Sequence, residues 1–226
     1  MAALIVVDVQ EDFCPPDGSL AVPDGRAVVP VANRLLRLPF ALKVATKDWH
    51  PPGHVSFAAS HAGAAPFAST ATLANPANPR ETYESRLWPV HCVQGTPGAA
   101  LLPDLDVARL HRVVEKGQHP AVEMYSAFYA PLRDPRVCDS GLAAALRAAA
   151  VVDVFVVGLA ADYCVRSTAV DAAAEGFRTY IVEEGTRAVD DGEWAAWKLK
   201  LGGLGVSVVS VEGDEVRRVA ESGGAT

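Results

Sequence analysis

The chain has 226 residues and a formal net charge of −7, and half of its residues are apolar. This length and composition suffice for one domain with a large core. No basic face is evident and no apolar run reaches the ~18 residues of a membrane span, so we expect neither nucleic acid nor membrane as a partner. The N-terminal run MAALIVVDVQEDF has no basic flank and predicts a first strand rather than a secretion signal.

The four cysteines are widely spaced and include no CxxC pair; they are Cys14, Cys92, Cys138 and Cys164. Four cysteines in a chain of this length are not typical of a disulfide framework. We therefore expect a reducing, cytoplasmic compartment.

Short β-branched runs recur along the chain and predict buried strands at 4–9, 42–46, 112–115, 152–157, 179–182 and 206–211. Helical patterns lie between most of them, at 25–38, 141–150 and 165–174. Alternating strands and helices indicate crossover connections. The prediction is one α/β domain over residues 1–226, with three α/β/α layers and a central, mostly parallel sheet of about six strands.

One stretch, at about 51–97, breaks this rhythm with many prolines, several histidines and the motif NPANP. A connection of this length inside a compact domain is usually functional or disordered, and the motif WPVHC at its far end favours function. Oligomer contacts and a pocket wall are both open as its role. The C-terminal ESGGAT is expected to form a loose tail.

Polar or reactive side chains stand where four successive predicted strands end. The first strand leads to Asp8, the second to Asp48 with His50 beyond it, the third to Lys116, and the fourth to the turn before Cys164. In open α/β sheets, ligands bind at the carboxyl ends of the strands. The sequence therefore predicts a functional site at this edge.

The D-x-H motif formed by Asp48 and His50 places two potential ligands on the same side of an extended segment. With His91 they make a set of two histidines and one carboxylate, which suits zinc, iron or manganese. A surface aspartate with a hydrogen-bonded histidine is the commoner alternative for D-x-H alone. His54 and His61 rank below His91 as ligands.

The stretch GLAADYCVRSTA places Cys164 near the start of a predicted helix. Unpaired backbone N–H groups and the positive end of the helix dipole lower the pKa of a thiol there, and a nearby Lys116 adds to the effect. Lys116 would lie near Asp8 if their strands are neighbours. The alternative interpretations are that Cys164 is a small buried side chain without a catalytic role and that Asp8 only caps a loop. The N–H groups of Ala160 and Cys164 could form an oxyanion hole.

Five segments carry a family resemblance: VDVQEDFCPPDGSLAV, DWHPPGHVSF, LWPVHCVQGTPGA, EKGQ and GLAADYCVRSTAVDA. Together, and in this order, they resemble the nicotinamidases of the isochorismatase-like cysteine hydrolase superfamily. The resemblance implies hydrolysis of nicotinamide to nicotinic acid and ammonia through a cysteine thioester, in NAD salvage. Alternatives are an amidohydrolase similar to the N-carbamoylsarcosine or ureidoacrylate enzymes, and a non-catalytic binding protein on the same scaffold.

The resemblance assigns catalysis to three side chains. Cys164 would be the nucleophile, Asp8 the acid/base, and Lys116 the residue that orients both. It also implies an oxyanion hole at Ala160 and Cys164, with a cis peptide between Leu159 and Ala160.

The resemblance further implies one divalent metal ion, for which zinc is expected and iron or manganese are alternatives. Its ligands would be Asp48, His50 and His91. Some bacterial relatives carry another histidine ligand after the D-x-H pair, but the spacing to His54 is shorter here, so we do not expect it to bind.

The substrate would lie between aromatic side chains, which the resemblance places at Phe13, Trp88 and Tyr125. The expected partner is thus a small molecule, nicotinamide, with pyrazinamide open as a second substrate. A homo-oligomer also stays open. The insert between Phe57 and Arg86 resembles the eukaryotic form of the family.

Overall fold

The computed structural model describes residues 1–224, which contain eight strands and five α-helices. The strands are β1 (Ala2–Val7), β2 (Leu42–Asp48), β3 (Thr70–Asn75), β4 (Asn78–Arg86), β5 (Arg112–Lys116), β6 (Asp153–Leu159), β7 (Arg178–Arg187) and β8 (Val206–Val209). The helices are α1 (Val28–Leu36), α2 (Leu142–Ala148), α3 (Arg166–Ala174), α4 (Asp191–Leu201) and α5 (Asp214–Glu221).

Six strands form a central sheet in the order β5-β2-β1-β6-β7-β8, and every neighbouring pair is parallel. The predicted strand windows all fall on these six strands, which confirms the predicted fold class. The first window has the right length but begins and ends two residues too late; β1 ends at Val7 because Asp8 has φ +49° and leaves the extended conformation.

Alternate residues of the sheet feed two separate cores. In β1, Leu4 and Val6 pack with α1 and α5 on one face, whereas Ala3, Ile5 and Val7 pack with α2, α3 and α4 on the other. Apolar strands buried on both faces are typical of a parallel sheet covered by helices. Helices on both faces make the three layers that the sequence predicted.

The sequence analysis did not predict α4 and α5. A start signal for α4 was nevertheless present, because Asp190 caps the helix by accepting a hydrogen bond from the Glu193 N–H at 3.0 Å. The C-terminal prediction was partly wrong, since Glu221 ends α5 and residues 222–224 form a short 3-10 turn. The rest of the predicted loose tail, residues 225–226, lies outside the described residues.

The insert contains an antiparallel hairpin of β3 and β4, separate from the central sheet. The sequence analysis had not predicted strands in the insert. A weak signal was present, since Glu81, Tyr83 and Ser85 of β4 face the protein while the residues between them are exposed. This period of two is typical of a strand.

None of the helices within residues 1–224 is long and apolar enough to cross a bilayer. The four cysteines are all free thiols.

Candidate active site

The carboxyl ends of four strands bring a lysine, two aspartates and a cysteine into contact. Lys116 Nζ lies 2.9 Å from Asp8 Oδ2, 2.5 Å from Asp48 Oδ1 and 3.5 Å from Cys164 Sγ. All four residues are buried. A single ammonium group thus contacts both carboxylates and the thiol.

Lys116 reaches Asp8 although their strands are not neighbours, so the condition attached to that prediction was wrong. Strand β2 lies between β5 and β1. Lys116 is in register with Asp48 on β2, and its long side chain extends beside that residue as far as Asp8. The length of the lysine side chain therefore allows Lys116 to contact Asp8 across the intervening strand.

Asp8 is held by a threonine on the neighbouring strand. Thr46 Oγ1 donates to Asp8 Oδ1 at 2.5 Å and accepts from the Asp8 N–H at 3.1 Å. Burial raises the pKa of Asp8 to about 6, with Lys116 opposing the shift and Asp48 adding to it. At neutral pH this carboxylate is mainly ionised, yet it is basic enough to accept a proton.

The backbone of Asp48 is held by Gln10, whose side chain is fully buried. Gln10 Nε2 donates to the Asp48 carbonyl at 2.8 Å, and Gln10 Oε1 accepts from the Asp48 N–H at 2.7 Å. Although burial raises it, the pKa of Asp48 is held well below its usual range by Lys116 and His50. Asp48 therefore stays ionised.

Cys164 lies in a π-helical turn, Ala161–Val165, that leads into α3. Burial raises the pKa of its thiol well above the usual value; Lys116 opposes this, while Asp8 and Asp48 add to it. The predicted lowering of this pKa was therefore wrong. The sequence indicated the helical start but not that the thiol is buried beside two carboxylates. The resting thiol carries its proton and needs a base to remove it.

Two histidines present the same ring nitrogen to the Asp48 carboxylate. The Nδ1 atoms of His50 and His91 lie 2.8 Å from the carbonyls of Gly117 and Pro89, respectively, which fixes their protons on Nδ1. The Nε2 atoms lie 3.5 and 3.8 Å from Asp48 Oδ2. Within residues 1–224 the buried Nε2 of His50 has no hydrogen-bond partner.

This arrangement suits a divalent cation. The three predicted ligands offer one carboxylate oxygen and two imidazole nitrogens, and their atoms lie within 4.8 Å of one another. Although burial lowers it, the pKa of His50 is raised by Asp48, so a cation bound there would take the place of a proton on that ring. Burial, with His50 beside it, lowers the pKa of His91 to about 4, which keeps that ring neutral. Ligand nitrogens oriented by backbone carbonyls through their other ring N–H are typical of metal centres.

His54 lies close to this group, but both of its ring nitrogens are engaged. Nδ1 lies 2.7 Å from Ser56 Oγ and Nε2 lies 3.1 Å from the Val122 carbonyl, while the ring stacks on His50 with centroids 4.1 Å apart. Because Nε2–H must donate to the carbonyl, Nδ1 accepts from the serine and no lone pair is left for a metal. His54 packs against His50, and that it does not bind the metal stays a prediction.

The predicted substrate-lining residues meet at one small cavity next to Cys164. The Leu159–Ala160 peptide before it is cis, as expected. The lining residues that the sequence singled out are Phe13, Asp48, Trp88, His91, Tyr125, Ala160 and Cys164. The remaining ones are Leu20, Val22, Tyr163 and Val189.

The cavity is shaped by aromatic contacts. Trp88 Nε1 donates to the Tyr125 hydroxyl at 2.9 Å, and the Trp88 and Tyr163 rings meet edge to face with centroids 4.8 Å apart. These contacts hold two flat walls beside the thiol. Leu20, Val22 and Val189 were missed because an apolar side chain carries no chemical signal in a sequence.

Residues 2–212 match the family model described as the isochorismatase domain. The chain is 40% identical over 188 residues to a nicotinamidase of Acinetobacter baylyi, covering 83% of this chain and 82% of that protein. It also resembles the yeast nicotinamidase bound to the inhibitor nicotinaldehyde (TM-score 0.86, 34% identity, 93% of this chain and 100% of that one). A pyrazinamidase of Pyrococcus horikoshii in complex with zinc is similar too (TM-score 0.70, 33% identity, 92% and 98%).

Proposed function

This chain belongs to the isochorismatase family, and on that premise we propose that it hydrolyses nicotinamide to nicotinate and ammonia, a reaction of NAD salvage. The nicotinamidases among its relatives support this substrate. The observation that carries the proposal is one ammonium, Lys116, in contact with the Asp8 carboxylate and with the thiol of Cys164, which lines an aromatic cavity.

In the proposed mechanism Cys164 Sγ attacks the amide carbon and its proton passes to Asp8. The carboxylate is suited to this step because its pKa, raised to about 6, lets it accept the proton and later return it. Lys116 balances the negative charge that moves between the two side chains. Because the pKa of the Cys164 thiol is raised, the thiol is protonated at rest and needs Asp8 as a base before it can attack.

The tetrahedral oxyanion is assigned to the backbone N–H groups of Ala160 and Cys164, both at the cavity wall. Its collapse breaks the C–N bond, and Asp8 gives its proton to the departing ammonia. Water then loses a proton to Asp8 and adds to the thioester. Collapse of this second tetrahedral species breaks the C–S bond and releases nicotinic acid, which ionises to nicotinate, and the proton held by Asp8 returns to the Cys164 sulfur.

Substrate orientation is assigned to the aromatic walls and to a metal ion. We propose that Phe13, Trp88 and Tyr125 hold the pyridine ring in the cavity. The nitrogens and the carboxylate oxygen described above fit a divalent cation, and the zinc complex of a relative supports zinc. Bound there, the ion would supply a Lewis-acidic contact that orients the substrate.

The direct test is release of ammonia and nicotinate from nicotinamide by the purified protein, with its metal content measured on the same sample. Pyrazinamide belongs in the substrate panel because relatives include a pyrazinamidase. N-carbamoylsarcosine is the matched negative substrate. Hydrolysis of the latter without hydrolysis of nicotinamide would overturn the proposal.

The proposed setting is a reducing, cytoplasmic compartment. All four cysteines are free, and the mechanism requires Cys164 as a thiol.

Removal of either proposed histidine ligand should deplete the metal. In His50→Ala and His91→Ala the cation loses one of three protein donors, so we expect metal content to fall well below one ion per chain. Elemental analysis of each purified variant measures this. His54→Ala is the matched control, since both ring nitrogens of His54 are engaged elsewhere and its metal should be retained. Full metal content in His50→Ala or His91→Ala would remove that residue from the ligand set.

The pH dependence should report Asp8. A base must be ionised to accept the thiol proton, so kcat/KM should fall as the pH drops through the Asp8 pKa of about 6. The profile of kcat/KM for nicotinamide measures it in the free enzyme. Thr46→Val removes a hydrogen bond that lowers this pKa, so the midpoint should move to higher pH. A midpoint that is unchanged in Thr46→Val would assign the ionisation to another group.

A further inference from the structure

Three alternate side chains of β4 bond the hairpin of β3 and β4 to the rest of the protein, and Asn75 and Asn78 at its turn also donate to the carbonyls of Pro135 and Asp134. Glu81 accepts from the backbone N–H groups of Arg133 and Asp134 at 2.6 and 3.0 Å. Tyr83 bonds the backbone of Glu123, and Ser85 Oγ lies 3.5 Å from the Tyr125 hydroxyl. The hairpin therefore contacts residues 123–134 at both ends.

The Tyr83 hydroxyl makes two hydrogen bonds to one buried residue. It donates to the Glu123 carbonyl at 2.8 Å and accepts from the Glu123 N–H at 3.1 Å. Within the described residues neither backbone group has another hydrogen-bond partner. Buried peptide groups left without partners are costly, so this hydroxyl fixes the position of the peptide.

The two residues that follow Glu123 both belong to the site. The Met124 carbonyl accepts a hydrogen bond from Lys116 Nζ at 3.2 Å. Tyr125 lines the cavity and accepts from Trp88 Nε1 at 2.9 Å. The position of residue 123 therefore sets where the lysine is anchored and where one cavity wall stands.

We propose that Tyr83 is a positioning residue for the reaction: its hydroxyl holds the Glu123 backbone so that the Met124 carbonyl aligns Lys116 with Asp8 and Cys164. The proposal rests on the hydrolysis proposed above. It also gives the insert a role as the support of a pocket wall, one of the two roles that its sequence left open.

The test is Tyr83→Phe, which keeps the ring and removes only the hydroxyl. Loss of a hydrogen bond to a buried peptide should lower kcat for nicotinamide by about three- to tenfold. Alkylation of Cys164 by iodoacetamide, located by peptide mass spectrometry, should slow by a similar factor because Lys116 is less well aligned with the thiol. This second measurement needs no substrate, so it decides about Tyr83 even if nicotinamide is not hydrolysed.

Two controls separate positioning from general stability. Glu81→Ala loosens the hairpin at its far end and should lower the thermal midpoint while leaving kcat and Cys164 alkylation within about twofold. Tyr180→Phe removes a tyrosine hydroxyl from the central sheet and should change neither kcat nor the rate of Cys164 alkylation. Wild-type kcat and alkylation in Tyr83→Phe would overturn the proposal. So would an equal loss of both in Glu81→Ala, or outright unfolding of Tyr83→Phe, because the hydroxyl would then serve only the fold.

Discussion

Cys164→Ala should lower the turnover of nicotinamide by at least about a thousandfold, because no thioester can form without the sulfur. Among the described residues, Cys164 is the one thiol that lines the cavity. Substrate binding should survive, because the aromatic walls and the proposed metal ligands do not involve the thiol. Ammonia release measures turnover, and calorimetric titration with nicotinamide measures binding.

The other cysteines supply the matched controls. Cys138 is partly exposed and has no contact with the cavity, so Cys138→Ala should keep full activity. Cys14→Ala and Cys92→Ala should also remain active, although both thiols are buried and some stability will be lost. Turnover in Cys164→Ala above a small fraction of the wild-type value would remove the cysteine from the mechanism.

The centre of the sheet could be predicted because β1 and β6 are buried on both faces. Such strands must be apolar along their whole length, and runs such as LIVV before Asp8 show this directly. The insert hairpin escaped prediction for the opposite reason. Its strands are mostly exposed, and what holds β4 in place is hydrogen bonding of Tyr83 and Glu81 to residues about 40 to 50 positions away. No local pattern reports such contacts.

The candidate site also has features that the sequence predicted and features that it did not. The parallel sheet places strand ends together, so reactive residues after successive strands were expected to meet, and Asp8, Lys116 and Cys164 do meet. Their electrostatics could not be predicted, because the pKa of the thiol depends on burial and on two carboxylates from other strands. Thr46 and Gln10 were missed because their partners are distant in sequence.

Asp8→Asn should lower kcat by at least about a hundredfold, the lower end of what general acid–base catalysis supplies. The raised pKa of the resting thiol makes this change informative. The carboxylate of Asp8 helps to raise that pKa, so the amide should let Cys164 ionise at lower pH. A purely electrostatic role for Asp8 thus predicts a more reactive enzyme, whereas a role as base predicts a slower one.

Two measurements on Asp8→Asn decide between these roles: kcat for nicotinamide, and the pH dependence of Cys164 alkylation by iodoacetamide. We expect kcat to fall while the alkylation midpoint moves to lower pH. Asp17→Asn, at an exposed position, is the matched control and should change neither kcat nor the alkylation midpoint.

Because Lys116 contacts both Asp8 and Cys164, combining Asp8→Asn with Lys116→Ala should lower turnover little more than the worse single change does, as for residues that act as one unit. Independent, multiplying losses in the double variant, or wild-type turnover in Asp8→Asn, would show that the proton leaves the thiol by another route.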